Sequence, residues 1–148
     1  MHDAGLAIVH HLLVFALTLM LGTQLALTRP GLGAEQIQRL GRLDAGYGAT
    51  AGLILLAGLL RVWLGPKGAD YYLANPWFWA KMATFAGLGL LSIAPTLTFL
   101  RWRRDLKANP TALPCSSAAS GVRRYLLAEL LLLLLIPVFA ALMARYQG

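Results

Sequence analysis

A chain of 148 residues that is 58% hydrophobic and only 13% charged carries more apolar side chain than one soluble core can hide. Four runs approach or exceed the ~20 apolar residues that cross a bilayer, at 5–28, 46–64, 76–100 and 125–144. Nearly every residue lies in or beside one of them, which excludes a separate soluble domain. The net charge of +7 does not mark a nucleic-acid surface, because its distribution follows the spans.

The first run is a poor secretory signal. It has no basic leading segment and no small-residue cleavage site before Arg29, so it is expected to stay as a membrane helix. Lipid leaves no water to pair backbone groups, so runs this apolar and without alternation are helices and not barrel strands. The expected fold is therefore an all-α integral membrane bundle of four transmembrane helices, forming a single domain over 1–148.

Span one stops at Arg29-Pro30-Gly31. The stretch 33–44 follows, with Ile37, Leu40 and Leu43 at helical spacing and Arg39 and Arg42 between them, and reads as a short interfacial helix. Span two opens with Gly48 and Gly52 as a small-xxx-small pair suited to close helix packing. The loop from Gly65 to Asn75 is short and carries Tyr71 and Tyr72. Pro76 suits the first turn of span three, with Trp77, Phe78 and Trp79 as an interfacial belt. Pro95 is expected to kink span three, with Ser92 and Thr96 placed to bond freed carbonyls. The 109–121 loop holds the single cysteine, Cys115, which has no intrachain disulfide partner. Span four is a leucine run broken by Glu129 and Pro137.

Arg29, Arg39, Arg42, Arg101, Arg103, Arg104, Lys107, Arg123 and Arg124, nine of the 13 basic residues, fall in the 1–2 and 3–4 connections. The positive-inside rule makes that side cytoplasmic and puts both termini on the periplasmic or outer side. The same excess is attracted to anionic lipid.

Ionisable residues inside spans are costly and are functional candidates by default. His10 and His11 lie roughly 8 Å below the outer end of span one, and Lys81 lies about 6–8 Å below the outer end of span three. Arg61 approaches the same level. Gln24, Asp44, Tyr47, Thr96 and Glu129 form a second level near the basic side. Adjacent helical residues point about 100° apart, so His10 and His11 cannot both ligate one iron. One imidazole holds haem iron or a metal ion, or both are hydrogen-bonded structural histidines. Lys81 either snorkels to headgroups or pairs with an anionic group beside the histidines. Glu129 needs a donor, with Arg42, Tyr47 or Arg124 available, and either relays protons and meets a quinone or ties span four to span two. There is no CxxC, HExxH, GxSxG or phosphate loop.

A span-one histidine, Arg42-Leu43, Trp77 to Lys81 and Glu129 after a basic patch resemble the HemJ-type protoporphyrinogen oxidases. More closely, the chain resembles an uncharacterised family of bacterial four-span membrane proteins, a domain-of-unknown-function family. That likeness rests on Tyr47-Gly48, Gly58-Leu59-Leu60-Arg61-Val62, Gly65-x-Lys67-Gly68-Ala69-x-Tyr71-Tyr72, Asn75-Pro76-x-Phe78-Trp79-Ala80-Lys81 and Phe99-Leu100-Arg101-Trp102-Arg103-Arg104. The first resemblance implies haem b, held by His10 or His11 with Lys81 at a propionate, and Glu129, Arg42 and Lys81 in catalysis. One position departs: Trp79 stands where those oxidases carry a histidine two residues before the lysine. A second axial ligand then comes from His10 and His11 dividing their roles, from His2, or across a homo-oligomer, or haem is five-coordinate or absent.

The expected function is a multi-pass protein of the bacterial inner membrane that binds haem b and has a redox role, with a quinone or another redox partner. The alternatives are a non-enzymatic membrane subunit or scaffold, and a metal or small-solute permease using His10 and His11, since imidazole suits copper or zinc. Met20, Met82 and Met143 are scattered along the chain.

Overall fold

The computed structural model describes residues 2–64 and 68–146, with side chains from Gly5 onward. Among the described residues five helices follow one another: α1 (His2–Leu27), α2 (Ala34–Leu64), α3 (Gly68–Leu73), α4 (Pro76–Ala108) and α5 (Ser116–Arg145). All but α3 are long and apolar enough to cross a membrane, so the protein is a multi-pass, all-α membrane bundle. The expected contribution of His2, and Lys67 of the quoted motif, lie outside the described side chains.

Local chemistry sets the helix limits. Pro30 and Gly31 end the first crossing, and Gly31 takes φ 83°, a conformation open to glycine. The Gln36 side chain reaches back to the Gly33 amide at 3.1 Å and starts α2. Asn75 caps α4 by accepting from the Trp77 amide at 3.0 Å, ahead of Pro76 in the first turn.

Four boundaries depart from expectation, one of them the start of α5 at Ser116, inside the expected 109–121 loop. The interfacial stretch 33–44 and span two are one 31-residue helix. No proline interrupts that stretch, and glycines at 41, 46 and 48 lower helix propensity without breaking hydrogen bonds. Helix α4 likewise runs on to Ala108, past the end of its apolar run. Part of the expected 65–75 loop is helical as α3, starting at Gly68 with φ 73°.

Helix α1 packs chiefly on α2, and α4 chiefly on α5, so the bundle is two antiparallel hairpins laid together. Leu17, Leu21, Ile37, Leu40, Phe99 and Leu126 have no exposed surface and mark the seam between them. The outward faces carry Phe15, Leu19, Trp63 and Leu90 to the surroundings, as lipid contact requires.

Polar groups on these helices are mostly paired within their own helix. Thr18, Thr23, Thr28, Thr84 and Thr98 each donate to the carbonyl four residues back at 2.7–2.8 Å, which keeps a hydroxyl satisfied in hydrocarbon. Around Pro95 the expectation is not met: Pro95 frees the Leu91 carbonyl, whereas Ser92 donates to the Gly89 carbonyl at 2.8 Å and Thr96 donates across the bundle to Asp44 at 3.1 Å.

The small-residue pair is also corrected. Gly48 and Gly52 are exposed, with nothing near the space a Cβ would take. The close approaches occur at Gly41, which Arg103 crosses, and at Gly46, against Met20.

Candidate functional site

A cavity of about 110 Å³ lies between the two hairpins, in the half of the bundle away from the basic connections. Helix α1 supplies His10 and Val14, α2 supplies Ile54, Gly58 and Arg61, α4 supplies Phe78, Lys81 and Phe85, and α5 supplies Leu133 and Ile136. His10, Arg61 and Lys81, expected at one depth from the rise of their helices, thus meet at one cavity.

The two histidines separate. His10 turns its ring to the cavity beside Gly58, where even a Cβ would meet Cε1 only at an ordinary contact distance of 3.8 Å. Its Nδ1 is buried with no hydrogen-bond partner among the described residues, and the charges of Lys81 and Arg61 both act on it. His11 is exposed on the other side of α1, and its Nδ1–H donates to the Ala7 carbonyl at 2.6 Å. The rings stand 6.1 Å apart at 85°. Only His10 can meet a ligand in this cavity.

Lys81 does not leave for the helix end. It is half-buried, with Nζ 5.7 Å from the centre of the Phe78 ring, within cation–π range. Trp79 points away: it is exposed, and its Nε1–H donates to the Leu73 carbonyl at 3.0 Å. A histidine at position 79 would therefore not face His10. Met82 and Met143, far apart in sequence, both line the cavity that His10 lines, a convergence that spacing alone did not reveal.

The far end of the cavity is tied shut by residues that sequence reading passed over. Asn75 is buried, and its Nδ2–H donates to the Met143 carbonyl at 3.2 Å while its Oδ1 caps α4. Tyr71 donates to the same carbonyl at 3.2 Å. Their signal was the Asn-Pro pair, of which only Pro76 has an expected place, in the first turn of span three. At the side, Leu55 and Leu59 line the cavity yet are exposed on the bundle surface. The void is below the ~300–1,000 Å³ of sites that enclose a ligand, so a larger ligand keeps one edge against lipid.

Chemically this is an apolar slot with one imidazole and two cations. It suits a molecule with an apolar body and acidic groups. The donor set fits haem b in kind: His10 to face iron, Lys81 and Arg61 to meet propionates, apolar walls for the ring, and a thioether as a second ligand type. No second imidazole lines the slot.

The second polar level forms a separate cluster nearer the basic end. Asp44 accepts from Thr96, and Tyr47, Asp44 and Glu129 are mutual neighbours. Glu129 and Gln24 are both about 1% exposed. Gln24 Nε2 has no hydrogen-bond partner among the described residues, and the Tyr47 hydroxyl faces the Glu129 carboxyl without closing a well-formed hydrogen bond. Of the three donors expected for Glu129, Tyr47 is the one beside it. Arg42 and Arg124 are exposed. Arg42 lies in a surface pocket at the basic end with Arg103 and Lys107, apart from both Glu129 and Lys81. Among the described residues no group of three or more histidine, cysteine or carboxylate side chains is placed to hold a metal ion.

No curated protein and no solved structure matches the chain. A family model described as "Predicted membrane protein (DUF2214)" matches residues 2–148, so the chain, with its four apolar helices and polar cavity between two hairpins, belongs to that family of predicted membrane proteins.

Proposed function

We propose that this protein binds an apolar molecule bearing acidic groups in the His10–Arg61–Lys81 cavity, that this molecule is haem b, and that the protein has a redox role with a quinone or another membrane partner. The observation that carries the reading is the buried, unpartnered Nδ1 of His10 in a slot flanked by two cations. The His10 ring meets the Ile54 backbone, but a ring nitrogen left without a partner in hydrocarbon is destabilising unless a ligand satisfies it. Haem, when bound, supplies one-electron chemistry. The chain's own residues hold the imidazole against α2, set cations where carboxylates would lie, and keep water out with Phe78, Phe85 and Leu133. We further propose that the protein sits in the bacterial inner membrane with both termini outside, on the distribution of its basic residues.

The permease alternative gains from the thioethers of Met82 and Met143, since soft sulfur suits copper. Two cations at the same cavity oppose a metal cation, and the acidic ligand is favoured on that ground.

Purification in mild detergent tests this. A Soret band and a positive pyridine haemochrome are expected, lost in His10→Ala, weakened in Lys81→Ala and retained in His11→Ala. A colourless preparation in which native mass spectrometry shows another acidic amphiphile, displaced by His10→Ala, removes haem and keeps the site. An empty cavity, or a ligand indifferent to both His10 and Lys81, overturns the proposal.

A further inference from the structure

At the basic end, α2 and α4 run side by side beyond the apolar layer and enclose a polar pocket of about 250 Å³ lined by Gln38, Arg42, Arg103, Leu106 and Lys107. Three cations therefore converge on one space, and no carboxylate lines it. The acidic residues nearby are engaged elsewhere. Glu35 pairs with Arg39 at 2.6 Å, Asp105 stands 3.9 Å from Arg104, and Asp44 accepts from Thr96. Among the described residues Arg42, Arg103 and Lys107 make no ion pair and no hydrogen bond.

The convergence is built into the backbone. Arg103 is half-buried because its stem lies across Gly41, where a Cβ would collide with Cδ. Only glycine leaves this path open. Three like charges held together repel one another unless an anion lies between them. Guanidinium groups match phosphate oxygens in pairs of hydrogen bonds. The pocket opens at the edge of the layer that Phe99, Leu100 and Leu106 mark as apolar, the depth at which phospholipid headgroups sit.

We propose that this pocket binds the phosphate of an anionic glycerophospholipid headgroup, with Arg103 and Lys107 on α4 and Arg42 on α2 as its ligands and Gln38 as a neutral donor. The lipid's acyl chains lie along the apolar faces of α2 and α4. The site joins the two hairpins through a molecule of the bilayer and lies apart from the cavity at the opposite end.

The test measures thermal unfolding and native mass spectra of the purified full chain in detergent, with phosphatidylglycerol, phosphatidylcholine or inorganic phosphate added. Phosphatidylglycerol is expected to raise Tm saturably and to remain bound in the spectra. Phosphatidylcholine and millimolar phosphate are expected to do neither. Arg103→Gln and Lys107→Gln should each weaken phosphatidylglycerol binding about fivefold, the effect of one basic residue near a charged surface. Arg145→Gln, at the other end of α5, should leave it unchanged. Gly41→Ala should push the Arg103 stem aside and weaken binding as much as Arg103→Gln does. Equal stabilisation by phosphatidylcholine, or full phosphatidylglycerol binding in Arg103→Gln, Lys107→Gln and Gly41→Ala, would overturn the site. Reproduction of the effect by inorganic phosphate would overturn its assignment to a lipid.

Discussion

The Arg123 guanidinium donates from α5 to the Leu25 carbonyl in the last turn of α1 at 2.7 Å, and reaches the Thr28 carbonyl at 3.3 Å. It caps a helix whose last turn holds no basic residue of its own. A cation at that terminus answers both the unsatisfied carbonyls and the negative end of the helix dipole. Arg123→Ala should cost about 1.5–3 kcal/mol, the range for hydrogen bonds from charged groups. Unfolding in detergent measures the loss, and Arg124→Ala, an exposed neighbour, should lose under ~0.5 kcal/mol.

Asn75 performs two tasks, capping α4 and holding the Met143 carbonyl of α5. Asn75→Ala should cost about 1–2 kcal/mol, since it removes a cap and a buried hydrogen bond together. Amide hydrogen exchange should quicken at Trp77 and in the last turn of α5 but not at the basic end. Uniform quickening would show that the tie is not local.

The second polar level separates a satisfied pair from an unsatisfied one. Thr96→Val breaks the 3.1 Å bond to Asp44 and should cost about 1 kcal/mol or more, because it strands a buried carboxyl oxygen. Tyr47→Phe removes a hydroxyl that faces the Glu129 carboxyl without closing a well-formed hydrogen bond, and should cost less than Thr96→Val. A loss in Tyr47→Phe as large as in Thr96→Val would show that the Tyr47–Glu129 contact is a full hydrogen bond.

Cys115 is exposed at the start of α5, outside the membrane-crossing helices. Hydrogen bonding from the Ser117 hydroxyl and the Ala118 amide favours its thiolate and holds its pKa below the usual thiol value. Alkylation should therefore reach half its maximal rate at lower pH than for a free cysteine. Ser117→Ala should move that midpoint upward. As the chain's single thiol, Cys115 also reports sidedness. A membrane-impermeant maleimide should label it only once the cytoplasmic face is opened, and labelling of intact cells would reverse the proposed orientation.

Depth was legible in the sequence and direction was not. The rise per residue fixes how far His10 and Lys81 lie from their helix ends, so their common level followed from counting. Which way a side chain faces depends on how each helix is turned about its axis. A run such as Leu130 to Leu135 is apolar on every side, so periodicity marks no inner face. Gly48 and Gly52 could therefore look like a packing pair and yet face outward. Met82 and Met143 could meet at one cavity without any motif announcing it. The continuity of α2 was hidden for another reason: its polar first third resembles a surface segment, although nothing in it breaks a helix.

Leu55 and Leu59 line the His10 cavity and are exposed on the flank of the bundle, so the cavity meets the hydrocarbon there. Whatever enters comes sideways, out of the hydrocarbon, by diffusion in two dimensions. Occupancy is then governed by how strongly a molecule partitions into the bilayer, so a compound sparse in water but concentrated in lipid can saturate the site. Detergent dilution drains that reservoir, so the ligand should be sought first in membranes and then in micelles.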